Sequence, residues 1–154
     1  MQFDSTIVWR RGTQPFGDQR YSRAHEWRFD GGLRVPASSS PLSVPAPMSN
    51  PDCIDPEEAL VAATASCHML FFLSLAARQG YVIDHYGDHA VGSLGKNGDG
   101  GLAMTRITLR PRVVFSGTVQ PDPEQLAALH RAAHQQCYIA NSLKTGVVIE
   151  ADQD

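Results

Sequence analysis

The run ATASCHMLFFLSLAA, residues 63–77, sets Cys67 and His68 side by side in the middle of an otherwise greasy stretch. A further thiol, Cys137, follows His130 and His134. A thiolate is a strong nucleophile, and an imidazolium beside a thiol stabilises that form. His134 precedes Cys137 by about one helical turn, so the two share a helix face. His68 points about 100° away from Cys67 on a helix, which suits a polar edge or a packing role. Pattern alone favours two ordinary core cysteines, since free cysteine packs as a small hydrophobe. A reactive pair needs the two helices to bring their sulfurs together. Helix axes pack roughly 8–10 Å apart, and a disulfide needs Cα atoms within about 7 Å. A crossing point makes that approach feasible.

The remaining chemistry-bearing residues are less pointed. Cys53 lies in a proline- and serine-rich stretch and reads as a bystander, with a resolving role as the alternative. Three cysteines without a CxxC pair do not make a disulfide framework or a structural zinc site. His130 and His134 form an HxxxH pair, but no third ligand stands at a clear spacing, so no metal is assigned. No cofactor is expected.

These thiols need helices to position them. Asp55 can cap a helix, Pro56 suits its first position, and Glu58 completes a capping box three residues on. That helix extends to about Gln79, where Gly80 ends it. It is apolar nearly all round, which calls for burial on several sides; a second subunit is one source of such cover. A later helix opens with Asp122 as cap and Pro123 in its first turn. Leu126, Leu129, His130, Ala133 and Cys137 form one stripe along it. Strands are expected at residues 2–11, in a hairpin around Asp30-Gly31-Gly32, at 81–94, at 102–116, and in TGVVIEAD at the chain's end. Within 102–116, Ile107, Leu109, Val113 and Phe115 face one way. Residues 36–56 hold six prolines and five serines, so regular structure is not expected there. A connection of that length in a small domain is often functional. Strands, helix, strands, helix, strand give an α+β class in one domain, 1–154.

Composition narrows the function. With 154 residues, 42% hydrophobic and 19% charged, the chain should fold around a real core. A net charge of -3 with no Lys/Arg cluster argues against nucleic-acid binding. The N-terminus alternates like a strand and does not read as a signal peptide. No stretch approaches 18 uninterrupted apolar residues, so no membrane span is expected, and a cytoplasmic location follows.

Two segments, DPEEALVAATASCHMLFFLSLAARQGY and AHQQCYIANSL, resemble the OsmC/Ohr family of thiol peroxidases. The likeness includes Pro56-Glu57-Glu58 ten residues before Cys67, the small-residue run into Ser66-Cys67, and Cys137 near the end of a late helix. YSRAHEWRFDGG also resembles the N-terminal strands of one branch. The resemblance implies an OsmC-like fold with two antiparallel sheets, two central helices and an intertwined homodimer. It implies that Cys67 reduces an organic hydroperoxide to an alcohol, that Cys137 closes a disulfide with it, and that a dithiol, such as a lipoyl-type one, restores both. It further implies an arginine held by a glutamate beside the thiolate. Glu57 matches the glutamate; ten helical residues rise about 15 Å, so an arginine must bridge from Glu57 to Cys67. Glu57 also suits the helix N-terminus electrostatically. Arg23 matches the arginine, with Arg34 and Arg28 as alternatives. The other branch takes its arginine from the loop before the central helix, and residues 36–55 contain none. Met69, Phe71 and Phe72 are candidates for the peroxide's apolar pocket. Disulfide exchange on other proteins is a weaker reading without CxxC. A non-catalytic dimer that binds an apolar small molecule in the same pocket is the reading from a different class.

Overall fold

A computed structural model describes residues 1–151 of the chain, and these form two compact units, residues 1–59 and residues 60–151. The first unit carries an antiparallel sheet of β1 (Ser5–Val8), β2 (His25–Phe29) and β3 (Arg34–Ala37). The β2–β3 hairpin forms at Asp30-Gly31-Gly32, where Gly32 takes φ 84° and Phe29 and Leu33 close the turn. A left-handed backbone of this kind favours glycine. The expected strand at 2–11 is confined to its middle four residues.

The proline-rich segment after β3 is irregular but anchored. Ser38 N–H donates to Ile54 O at 3.0 Å, Ile54 N–H to Pro36 O at 3.3 Å, and Asn50 N–H to Ser38 Oγ at 3.0 Å. Ala37 and Ile54 form a single parallel bridge. Two backbone bonds and one serine hydroxyl acceptor thus hold the segment without a regular ladder.

Helix α1 (Pro56–Arg78) follows. Its capping box is present: Glu58 N–H donates to Asp55 Oδ1 at 2.8 Å, and Asp55 N–H to Glu58 Oε2 at 3.3 Å. Gly80, at φ 81°, takes the chain out of it. Within the second unit, Thr64, His68, Phe72 and Ala76 are its buried residues, one every four positions. The expectation of burial on several sides therefore fails for the single chain. The most apolar 18-residue window has a mean hydropathy of 1.8, enough in length and composition to cross a membrane, and is 22% buried. Interrupted apolar runs meet that measure even though no uninterrupted one does. Soluble core helices meet it as well.

The stretches 81–94 and 102–116 each divide in two: β4 (Val82–Asp88) and β5 (Val91–Lys96), then β6 (Leu102–Leu109) and β7 (Pro111–Ser116). β4 pairs with β7, while β5 and β6 pair in a separate sheet completed by β8 (Gly146–Ile149). The β6–β8 pair is parallel and the others are antiparallel. Alternation continues through His89-Ala90 and Arg110, but the hydrogen-bonding partner changes there. β8 occupies the middle of the expected terminal strand; Asp152 lies outside the described residues. Gly92 of β5 leaves the space that Val61 and Met104 side chains fill.

Helix α2 (Pro123–Gln136) has a complete capping box between Asp122 and Gln125. Cys137 does not continue it as expected. It ends α2 and caps a short helix, α3 (Tyr138–Ser142), with φ -65° and ψ 110°. Phe72, Ala76, Tyr81, Leu129 and Ala133 form the core of this unit. Burying Phe72 and Leu129 contributes roughly 1.5–3 kcal/mol each.

Candidate active site

The two thiols that the sequence placed on separate helices meet in the second unit. Cys137 and Cys67 are near enough to influence each other's ionisation. Cys67 is half-buried and Cys137 is buried. Cys67 opens onto a cavity of about 500 Å³ lined by Ala63, Ser66, Leu70, Phe71, Ser74, Tyr138 and Ile139. The α1 members recur every three or four residues, so the cavity runs along one stripe of the helix. Phe71 meets Tyr138 edge-on at 5.0 Å between ring centroids. Phe71 thus lines the pocket as expected. Phe72 does not: it lies wholly buried in the core, one position round the helix. Met69 is also absent from the lining. Leu70, Tyr138 and Ile139 were missed; Leu70 stands three residues beyond Cys67 on its face, and that spacing was the available signal.

Cys137 is held from both sides. Its Sγ accepts from Ala140 N–H at 3.4 Å, so the thiol acts as the cap of α3. Burial, above all, and the neighbouring Cys67 thiol push its pKa up to about 11. At neutral pH Cys137 is therefore a neutral thiol.

His68 is 1% exposed, so it is a packing residue and not a polar edge. Its Nε2 lies 3.1 Å from Nδ1 of His130, and the two rings stack in near-parallel planes. Phe72 stacks on His130 at 4.4 Å. Burial lowers both pKa values to about 4, so both imidazoles are neutral. His134, assigned by spacing to Cys137, exerts its electrostatic influence on His68 instead. Among the described residues no three His, Cys, Asp or Glu side chains are arranged to hold a metal.

The remaining candidates belong to the first unit. Arg23 lies with its guanidinium 3.8 Å from the centre of the Tyr21 ring. Its Nη1 donates to Gln19 O at 2.7 Å and also to Tyr21 O. It borders a cavity of about 430 Å³ with Trp9, Phe16, Tyr21 and His25. Arg28 and Arg34, the alternatives, both pair with Glu26, at 2.5 and 3.6 Å. The Arg28 hydrogen bond holds the Glu26 carboxyl below its ordinary range. Among the described residues Arg23 has no carboxylate partner. Glu57 stands in the first turn of α1, outside the capping box that Asp55 and Glu58 complete. Cys53 lies before α1 in the first unit, its amide bonded to Asn50 O at 3.2 Å.

An α+β chain with two neighbouring thiols, one of them open to an apolar cavity, defines a class of thiol protein. Residues 49–152 match the OsmC-like protein family, and the chain belongs to it. An OsmC-like protein of unknown function from Vibrio cholerae is 50% identical, with a TM-score of 0.97 and 99% of each chain covered. The organic hydroperoxide resistance protein OhrB of Bacillus subtilis is 22% identical, with a TM-score of 0.66 over 97% of this chain and 98% of that one. An organic hydroperoxide resistance protein from Elizabethkingia anophelis is 16% identical, with a TM-score of 0.69 over 98% and 94%. The fold is thus the one those proteins share. No curated protein matches the chain.

Proposed function

We propose that the protein is a cysteine-based reductase of organic hydroperoxides. The observation that carries this reading is the pair of neighbouring, unequal thiols, with Cys67 facing an apolar cavity and Cys137 buried. Family membership and the resistance proteins of like fold support it.

The Cys67 thiolate attacks the distal peroxide oxygen. An S–O bond forms and the O–O bond breaks. The departing alkoxide takes a proton and leaves as alcohol, and Cys67 is left as a sulfenic acid. The Cys137 sulfur then displaces hydroxide from Cys67, closing a disulfide and releasing water. An external dithiol of the lipoyl type reduces that disulfide by exchange. The cavity takes the alkyl part of the peroxide against Leu70, Phe71 and Tyr138.

In this reading Arg23 is the cation that the family resemblance implies for the thiolate, and among the described residues its guanidinium rests on Tyr21 without the Glu57 pairing that the resemblance also implies. Arg23→Ala is expected to slow Cys67 oxidation, and Arg23→Lys to restore part of it. The reading also includes a homodimer, because α1 leaves most of its apolar surface uncovered in one chain and Leu70 is 61% exposed. Exposed apolar patches of that kind mark interfaces.

The test is stoichiometric. Reduced protein mixed with cumene hydroperoxide is expected to yield one alcohol per disulfide formed. Cys67→Ser should yield none. Turnover by that variant at the parent rate would overturn the proposal.

A further inference from the structure

A second cavity of the same unit, of about 470 Å³, shares no lining residue with the one at Cys67. Small-molecule sites enclose about 300–1,000 Å³. Val113, Phe115 and Leu126 give this one apolar walls, and Pro111, Pro121 and Pro123 bring no N–H of their own. No charged side chain is among the described residues that line it. Gln120 lines it too but is exposed to water. His130, 4% exposed, is the buried polar member of the lining. Its ring is stacked on Phe72 and its Nδ1 lies 3.1 Å from His68 Nε2, whereas its Nε2 is buried with no hydrogen-bond partner among the described residues. We infer that this cavity binds a small uncharged carbonyl compound, a ketone or an ester, whose oxygen accepts from His130 Nε2–H.

The proton on Nε2 follows from the imidazole pair. Both rings are neutral, so each carries a single N–H. Two arrangements make the 3.1 Å bond. If His130 Nδ1–H donates, the His68 proton sits on Nδ1, which is buried in the core without a partner among the described residues. If His68 Nε2–H donates, only a bare lone pair is left on His68 Nδ1, and the His130 proton sits on Nε2. An orphaned buried N–H is rarer than an orphaned acceptor, so the second arrangement holds. The unpaired donor of the pair is then the one that belongs to the cavity wall. Burying a donor without a partner costs its desolvation, and an acceptor brought in by a ligand recovers that loss. A carboxylate would meet no opposite charge in this lining, and burying an unpaired charge is costly. The acceptor is therefore an uncharged oxygen on an apolar body.

Neither a thiol nor a peroxide enters the test, so this inference and the proposed reductase can fail separately. Long-range proton–nitrogen correlation spectra of the isotope-labelled protein identify the protonated nitrogen of each ring. Both His68 and His130 are expected as the Nε2–H tautomer. Cyclohexanone should shift the His130 Nε2 resonance saturably. Methylcyclohexane, similar in size but without the oxygen, should bind more weakly by about threefold or more. Ala151→Trp narrows the cavity from a half-buried position in its lining and leaves both imidazoles in place. It should weaken cyclohexanone binding by about tenfold or more, with circular dichroism verifying the fold. A proton on His130 Nδ1 overturns the inference. So does a ketone that leaves Nε2 unmoved, equal affinity for the two probes, or undiminished ketone binding by Ala151→Trp.

Discussion

Cys67 and His68 are neighbours in sequence and are treated in opposite ways by the same helix. Cys67 lies on the stripe that opens to an apolar cavity, and its partner is a thiol at the junction of α2 and α3. His68 lies on the stripe that is sealed, and its partner is an imidazole from the middle of α2. Both are pairs of neighbouring titratable groups. One has a member that peroxide can reach; the other does not. Access, more than residue type, separates a pair that can react from one that cannot. The difference arises from about 100° of rotation around α1.

The sharpest way to break this comparison is to exchange consequences. Cys67→Ser should reduce peroxide turnover to the uncatalysed level and move the melting temperature little, since serine nearly matches its volume. His68→Ala should do the reverse. It empties a buried site and leaves His130 Nδ1 unpartnered, at a cost of about 2–4 kcal/mol. At roughly 2–4 °C for each kcal/mol in a chain of this size, calorimetry resolves that loss. The first oxidation of Cys67, followed in a stopped-flow instrument, should keep its rate within about threefold (0.65 kcal/mol at most). A collapse of that rate in His68→Ala would show that the imidazole pair belongs to the reactive site.

Acid provides the next test. The folded-state pKa of His68 and of His130 is about 4, below an ordinary value of 6.5. The unfolded chain therefore binds more protons than the folded one between those values. The stability of the neutral pair is fully present above about pH 6.5 and declines as pH falls toward 4. A single imidazole shifted by that amount contributes at most about 3 kcal/mol. Urea denaturation at pH 8, 6, 5 and 4 should show the decline, and His68→Phe should flatten it. An equal slope in the variant would place the acid sensitivity elsewhere.

How much of this was legible beforehand follows from the interactions involved. Helix α1 was readable because Asp55, Pro56, Glu58 and Gly80 act within one turn of themselves. The hairpin at Gly31-Gly32 was readable for the same reason. The meeting of Cys67 and Cys137 was not derivable from spacing, since it depends on how α1 is disposed against the α2–α3 junction; the resemblance to a family supplied the pairing. The break at Cys137 carries no glycine or proline to announce it. The strands at 81–94 and 102–116 were detected but merged, because alternation records which face is buried and not which strand lies alongside. The burial of His68 was available in outline. It falls on the same four-residue repeat as Thr64, Phe72 and Ala76, and an apolar repeat containing one histidine marks a buried histidine that needs a partner.

The smallest expected effect distinguishes what sets the thiol geometry from what merely starts its helix. Asp122→Ala removes the box in which Gln125 N–H donates to Asp122 Oδ1 at 2.8 Å and Asp122 N–H donates to Gln125 Oε1 at 2.9 Å. Loss of such a cap costs about 1 kcal/mol. Leu129 and Ala133, wholly or almost wholly buried between that cap and Cys137, should hold the far end of α2 in place. The Asp122→Ala variant should therefore unfold at a slightly lower urea concentration while the alkylation pH profile of Cys67 stays that of the parent. A shifted profile would mean that the two sulfurs depend on the whole length of α2, and the contrast between a packed core and an open pocket would have to be redrawn with the cap on the side of the pocket.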